Sequence, residues 1–481
     1  MPDAAPQHFI VIVPGYMGSL LGDKKTGETI WMDVPRLIQN PLKIGEKIDQ
    51  MLEKMAYPND DLQPTGILER GVLYALPWAR LDHYGRLVDL LAGLGYAVEP
   101  EHPKPDMPSI YKFAYDWRQD NRISARQLGE AVQRWRDQNG GAKAWLIGHS
   151  NGGIISRWFI EKEGGKDHVD RLFLMGSPWD GAPKSIKVMV EGMDIVGRRL
   201  LNRFGFGERM RELILTFPSY YQLIPHTNRF LIDQNNEEID PYADDRWLDS
   251  ERDRLYLKDA LAFNRDLGNH LSVDTVCFFG RFKPTTTAGV VKVGPGGRWE
   301  HINWIETPAG DATVPERSAV YPEAAARYAY AVDHGSIYVD PQMQAQLEWE
   351  LHGKYLGGER ATLLTDRLAV VFEPEKPFYN PGDTINLWAT IYHNTPGAEP
   401  ISGANIHVRL EWREPLPGDE AAQPPASLPS VDLFESEIEP GRYEGSLQAP
   451  TQEGFYQVTA VVRITGEPAL QLEESVAVER E

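Results

Sequence analysis

Ala144-Trp145-Leu146-Ile147-Gly148-His149-Ser150-Asn151-Gly152 runs from four apolar residues into a serine flanked by glycines, and helical spacing of apolar residues resumes over 154–163. The apolar run predicts a buried strand and the segment beyond predicts a helix. Between them, Gly148 to Gly152 fits the G-x-S-x-G pattern of a strand-to-helix turn. Such a turn is so tight that its flanking positions tolerate only glycine. It leaves Ser150 exposed at a helix N-terminus, where backbone N–H groups face developing negative charge.

The surrounding sequence repeats this alternation. Phe9-Ile10-Val11-Ile12-Val13 is an unbroken apolar run stopped by Pro14-Gly15, as for a strand buried on both faces. Residues 87–94 and 123–139 have helical spacing and end at glycines. Tyr96-Ala97-Val98, Arg171-Leu172-Phe173-Leu174-Met175 and Thr275-Val276-Cys277-Phe278-Phe279 read as further strands. Strands alternating with helices predict a mostly parallel sheet covered on both faces. With the serine turn, the expected fold is that of an α/β-hydrolase. The stretch 185–269 breaks the rhythm: Ile186, Met189, Val190, Met193, Val196 and Leu200 recur at helical spacing, followed by aromatic, arginine and acidic residues. It reads as a helical insertion, either packed or forming a movable cap.

Beyond about residue 365 the period becomes two. Ile385, Leu387 and Ile391 form one set, Ile406, Val408, Leu410 and Trp412 a second, and Val458, Ala460, Val462 and Ile464 a third. Turn signals such as Asn380-Pro381-Gly382-Asp383 separate about seven strands in all. Domains at 1–363 and 364–481 are therefore expected, the second an all-β immunoglobulin-like sandwich with a long exposed loop over 415–429. That domain offers no catalytic constellation.

A serine hydroxyl needs a base, and the base needs an acid to orient it. In this fold they follow in the order Ser, Asp or Glu, His. Gly310-Asp311-Ala312-Thr313-Val314-Pro315 places Asp311 in a turn after a strand over 302–306; Asp274, the competitor, lies inside a strand pattern. His334, in Val332-Asp333-His334-Gly335, follows an apolar stretch and suits a loop at a strand end. Its rival, His352, reads as a helix C-terminus, and His149 falls on the strand side of the turn, where packing is expected. For the oxyanion the backbone donors expected are the N–H of Asn151 and, from Val13-Pro14-Gly15-Tyr16-Met17-Gly18, that of Tyr16.

Composition narrows the classes further. The formal net charge of −21 disfavours nucleic acid and anionic membranes as partners. Nothing approaches the roughly 18 apolar residues needed to span a bilayer, and no signal segment is visible, so the cytoplasm is the default expectation. Cys277 is the single cysteine, which excludes an internal disulfide and reads as a small core hydrophobe.

Five segments in this order resemble the lecithin:cholesterol acyltransferases and the related lysosomal phospholipase. They are Val13-Pro14-Gly15-Tyr16-Met17-Gly18-Ser19 with Ile30-Trp31-Met32-Asp33, then Tyr115-Asp116-Trp117-Arg118, then Gly148 to Gly152, then Gly176-Ser177-Pro178-Trp179-Asp180-Gly181, and last Gly310-Asp311-Ala312-Thr313-Val314. The resemblance covers about residues 8–355 and leaves the β-rich end outside. It implies acyl transfer from a lipid ester onto serine, then onto water or an acceptor alcohol. It also implies Ser150, Asp311 and His334 as the triad, Tyr16 and Asn151 as oxyanion donors, and a cap segment at Phe217-Pro218-Ser219-Tyr220. No metal or organic cofactor is expected. Asp116 and Arg118 read as a structural clamp rather than as catalytic groups. The alternatives are an esterase or thioesterase on soluble short-chain substrates, or a non-catalytic binding or scaffold protein. A partner for the β-rich domain is not readable.

Overall fold

A computed structural model of the chain describes residues 8–31, 44–69, 84–104, 106–192, 206–227, 229–295, 297–352, 368–374, 378–393, 401–415, 423–436, 440–466 and 469–480. Its main sheet contains β1 (His8–Val13), β2 (Ala97–Val98), β3 (Ser109–Lys112), β4 (Lys143–His149), β5 (Val169–Met175), β6 (Asp274–Gly280) and β7 (Ala326–Tyr330). The order is β7-β6-β5-β4-β1-β3-β2, and every neighbouring pair is parallel.

The apolar run of β1 is unbroken because both faces are covered. Phe9, Val11 and Val13 enter one buried core, and Ile10 and Ile12 enter another on the opposite face. Helices Asn121–Gln138 and Asn151–Lys162 and the helix Glu251–Leu267 belong to the first layer. In the latter two, the Trp158 and Phe263 rings stack 4.6 Å apart. Helices Tyr84–Gly93 and Pro341–His352 cover the second face. The parallel sheet, its two helical layers and the serine turn at the end of β4 make this an α/β-hydrolase fold. Strand β3 is not marked in the sequence, since only Ile110 and Tyr111 of its four residues are apolar.

Two small side sheets flank the main one. Ser19–Asp23 pairs antiparallel with Thr29–Trp31 and Leu62–Ile67. The hairpin Thr285–Val293 and Trp299–Thr307 takes Leu231–Asp233 as a third strand. Within 185–269 lie helices Lys184–Glu191, Phe206–Ile214, Pro218–Tyr221 and Glu251–Leu267. The expected helical positions Met193, Val196 and Leu200 lie outside the described residues, as do Met32, Asp33 and the boundary near 363.

The C-terminal part is an all-β domain with eight strands among the described residues: β8 (Leu368–Pro374), β9 (Phe378–Tyr379), β10 (Thr384–His393), β11 (Asn405–Glu414), β12 (Ser430–Glu435), β13 (Arg442–Gln448), β14 (Gly454–Arg463) and β15 (Leu470–Val478). Their order is β8-β10-β13-β12-β11-β14-β15-β9, antiparallel throughout except where the two-residue β9 joins β15. The period-two residues Ile385, Leu387, Ile391, Ile406, Val408, Leu410, Val458, Ala460 and Val462 form its core. The short strand β9 is the one the alternation did not reveal.

Candidate functional site

Parallel register places the carboxyl ends of β1, β4, β5, β6 and β7 along one edge, and ligand sites of open α/β sheets lie there. Ser150 follows β4 with φ 52° and ψ −124°, a left-handed backbone that a serine adopts only under constraint. The constraint is visible. The Ser150 N–H donates to the Met175 carbonyl at 2.9 Å, and a Cβ on Gly152 would sit 2.2 Å from the Val13 carbonyl oxygen. No other residue fits there without moving β1.

His334 reaches this edge from the loop after β7. Its Nε2 lies 2.8 Å from Ser150 Oγ, and its Nδ1 lies 2.7 Å from Asp311 Oδ2. A carboxylate only accepts, so Nδ1 carries the proton and Nε2 is free to accept from the serine hydroxyl. Asp311 is fully buried. Its Oδ1 accepts from the N–H groups of Thr313 at 3.0 Å and Val314 at 2.6 Å, and its carbonyl accepts from His334 N–H at 2.8 Å. The acid therefore has one oxygen bound by its own turn and the other aimed at the imidazole.

Asp311 reaches β6 by a detour through the hairpin of the second side sheet. After Trp299–Thr307 the chain returns, and Asp311 bridges Lys283 just beyond β6. Ala312, at φ 68°, turns the chain, and Thr285 Oγ1 accepts its N–H at 2.8 Å. Lys184 Nζ donates to the Ala312 carbonyl at 2.9 Å. Nothing in the local sequence marks Thr285 or Lys184 for these contacts.

The rival residues lie elsewhere. Asp274 begins β6 at the far edge of the sheet and pairs with Arg171 at 2.7 Å. His352 ends its helix against Tyr96, beside the start of β2. Asp116 and Arg118 form a two-pronged ion pair, and the buried guanidinium also donates to the Met55 and Asn59 carbonyls. That geometry is a clamp tying this loop to the end of helix Ile44–Met55.

The glycine-rich loop after β1 lies against the serine turn: a Cβ on Gly15 would come within 2.9 Å of both Ser150 Cβ and His149 Nδ1. The peptide joining Pro14 to Gly15 is held at both ends. Tyr115 Oη donates to its carbonyl at 3.0 Å, and its N–H donates to Tyr84 Oη at 2.7 Å. Trp31 Nε1 holds the Met17 carbonyl, and Trp117 Nε1 holds that of Ser19. Tyr16 follows directly, its ring edge-on to Trp117 and Tyr220 and its hydroxyl buried with no partner among the described residues. Asn151, the other expected donor, exchanges two hydrogen bonds with the Asn121 amide and donates a third to Tyr115 Oη. Neither the Tyr16 N–H nor the Asn151 N–H is taken by an acceptor among the described residues. Phe217 and Tyr220, from the segment expected to form a cap, pack around Trp117 and Tyr16.

Among the described residues no three His, Cys, Asp or Glu side chains converge as metal ligands do, and no helix is long and apolar enough to cross a membrane.

The chain is similar to several known proteins. One similar relative is a phospholipase A(1), LCAT3, of Arabidopsis thaliana, 26% identical over 248 residues, covering 46% of this chain and 53% of that protein. A phosphatidylcholine-sterol acyltransferase of Gallus gallus is 26% identical over 235 residues, covering 43% and 51%. The chain thus spans about half the length of these relatives. In the crystal structure of the Tle4-Tli4 complex, a chain 15% identical superposes with a TM-score of 0.50, covering 71% of this chain and 97% of that one, which bears on the fold alone. Residues 79–279, which hold the Tyr115 to Arg118 loop, the serine turn and the segment after β5, match the family model described as lecithin:cholesterol acyltransferase.

Proposed function

We propose that this chain is a serine carboxyl-ester hydrolase or O-acyltransferase acting on lipid esters through an acyl-serine intermediate. The observation that carries the reading is the continuous line from Ser150 Oγ through His334 to the buried Asp311 carboxylate, at 2.8 and 2.7 Å. In this reading His334 takes the hydroxyl proton as Ser150 attacks the ester carbonyl. Asp311 holds the tautomer that makes this possible. The N–H groups of Tyr16 and Asn151 receive the oxyanion, and His334 protonates the leaving alcohol before activating water or an acceptor alcohol. The lipid class of substrate rests on the names of the relatives.

We further propose domains at 1–363 and 364–481, a cap within 185–269, and an immunoglobulin-like sandwich for the second domain. Its support is the way β12 pairs with both β11 and β13, joining two strand sets around one core.

The test compares wild type with Ser150→Ala on p-nitrophenyl esters of increasing chain length and on phosphatidylcholine vesicles. Serine-dependent release that persists with long chains and vesicles is the expected result. Release confined to short chains would replace the lipid with a soluble ester. Equal rates for the two proteins would overturn the reading.

A further inference from the structure

His149 occupies a position that packing alone explains poorly. It is buried between the two halves of the site, and both ring nitrogens have partners. Nε2 lies 3.0 Å from the His334 carbonyl, and Nδ1 lies 2.7 Å from Tyr84 Oη. The directions follow from donor chemistry. A carbonyl only accepts, so Nε2 carries the proton. The ring is neutral, since burial, with the nearby His334 adding to it, lowers its pKa to about 3. Nδ1 therefore accepts, and Tyr84 must donate to it. The remaining capacity of the Tyr84 oxygen is filled by the N–H of Gly15 at 2.7 Å. One chain of bonds results: Gly15 N–H to Tyr84, Tyr84 to His149, His149 to the backbone of His334.

We infer that His149 and Tyr84 are positioning residues that fix the oxyanion loop and the base relative to each other. The inference rests on the triad reading above and adds two residues that do not touch the reacting atoms. Gly15 directly precedes Tyr16, whose N–H is the proposed donor, and the His334 carbonyl belongs to the residue whose ring must meet Ser150. A filler of the same volume would occupy the space, but it would set neither peptide. Tyr115 holds the other end of the Pro14–Gly15 peptide and is itself bonded by Asn151. The residues on either side of the nucleophile thus each hold one end of the same peptide, His149 through Tyr84 and Asn151 through Tyr115.

The test measures kcat and KM on a p-nitrophenyl ester for wild type, Ser150→Ala, Tyr84→Phe, His149→Leu, His149→Gln and the Tyr84→Phe/His149→Leu double variant, with thermal midpoints as the folding control. Tyr84→Phe removes a single oxygen atom. A loss of about 10–100-fold in kcat is expected, with KM within about threefold, because a small misplacement of reacting groups acts on the transition state. The double variant should be no slower than the slower single one, since groups acting as one unit are not additive. His149→Gln, which keeps a donor for the His334 carbonyl, should recover part of the loss seen in His149→Leu. Kinetics of Tyr84→Phe within about twofold of wild type, with turnover still dependent on Ser150, would overturn this inference and leave the triad standing. Multiplying losses in the double variant, or no gain from glutamine over leucine, would also overturn it. Turnover equal to wild type in Ser150→Ala would instead remove the triad reading on which it rests.

Discussion

Replacing Asp311 by asparagine should disable the site while leaving its shape intact. Asp311 Oδ1 accepts two backbone N–H groups, from Thr313 at 3.0 Å and Val314 at 2.6 Å. An amide in that place must keep its oxygen there, because the reverse orientation would set N–H against N–H. Its NH2 group therefore faces His334 Nδ1, where Oδ2 now stands 2.7 Å away. Nδ1 becomes an acceptor, the imidazole proton moves to Nε2, and Nε2 points that proton at Ser150 Oγ, 2.8 Å distant. The base cannot then take the serine proton. Wrong-tautomer substitutions of this kind cost about 10⁴-fold in kcat, equivalent to about 5 kcal/mol of transition-state stabilisation. The assay is steady-state turnover of a p-nitrophenyl ester by wild type, Asp311→Asn and Asp311→Ala, with thermal midpoints alongside. Asparagine retains both turn bonds, so its midpoint should stay closer to wild type than that of alanine. An Asp311→Asn protein within about tenfold of wild-type kcat would refute the argument that this carboxylate sets the tautomer.

Other expectations follow from single groups. Arg118→Met leaves the Asp116 carboxylate with only the backbone N–H of residue 118 and two carbonyls without the guanidinium, and should cost about 3–5 kcal/mol of stability; denaturant unfolding checks this. Fluorophosphonate labelling of Ser150 in the folded variant should be unchanged, and slowed labelling at unchanged stability would indicate a catalytic role instead. His149, with its pKa lowered to about 3, is neutral when folded but protonates below about 6.5 when unfolded. Its contribution is complete above that value and is lost as pH falls toward 3, amounting to about 2 kcal/mol between pH 7 and 5. Unfolding of His149→Gln should show a shallower loss of stability over this range by that amount, and an identical pH slope would contradict it. Cys277 is fully buried, and burial pushes its thiol up to about 11. Iodoacetamide at neutral pH should leave the native chain unmodified and alkylate it in denaturant; mass spectrometry distinguishes the two.

What the chain alone determined was local. The glycines around Ser150, the unbroken apolar run of β1 and the period of two beyond 368 each follow from sterics or burial acting over a few residues. They were sufficient for the serine turn, the parallel sheet and the all-β domain. The order of Ser150, Asp311 and His334 was also legible, because each stands in a turn after an apolar run.

Tertiary structure decided which groups meet. Ser150 and His334 are 184 positions apart, and register among β4, β5, β6 and β7 brings them to one edge. Asp311 arrives only because the 285–307 hairpin folds back onto the end of β6. Tyr84 carries no local mark of its role: it opens an amphipathic helix and would read as core in any sequence. Tyr115 adjoins the charged pair Asp116 and Arg118, which is the more visible feature of that segment. The position of His149 beside the serine turn reads as packing, which its burial supports, but its two directed bonds exist only once β4, helix Tyr84–Gly93 and the loop after β7 are together. Burial and periodicity are properties of neighbouring residues and can be read along the chain. A hydrogen bond between distant side chains depends on the relative placement of several elements, and only the folded protein determines that.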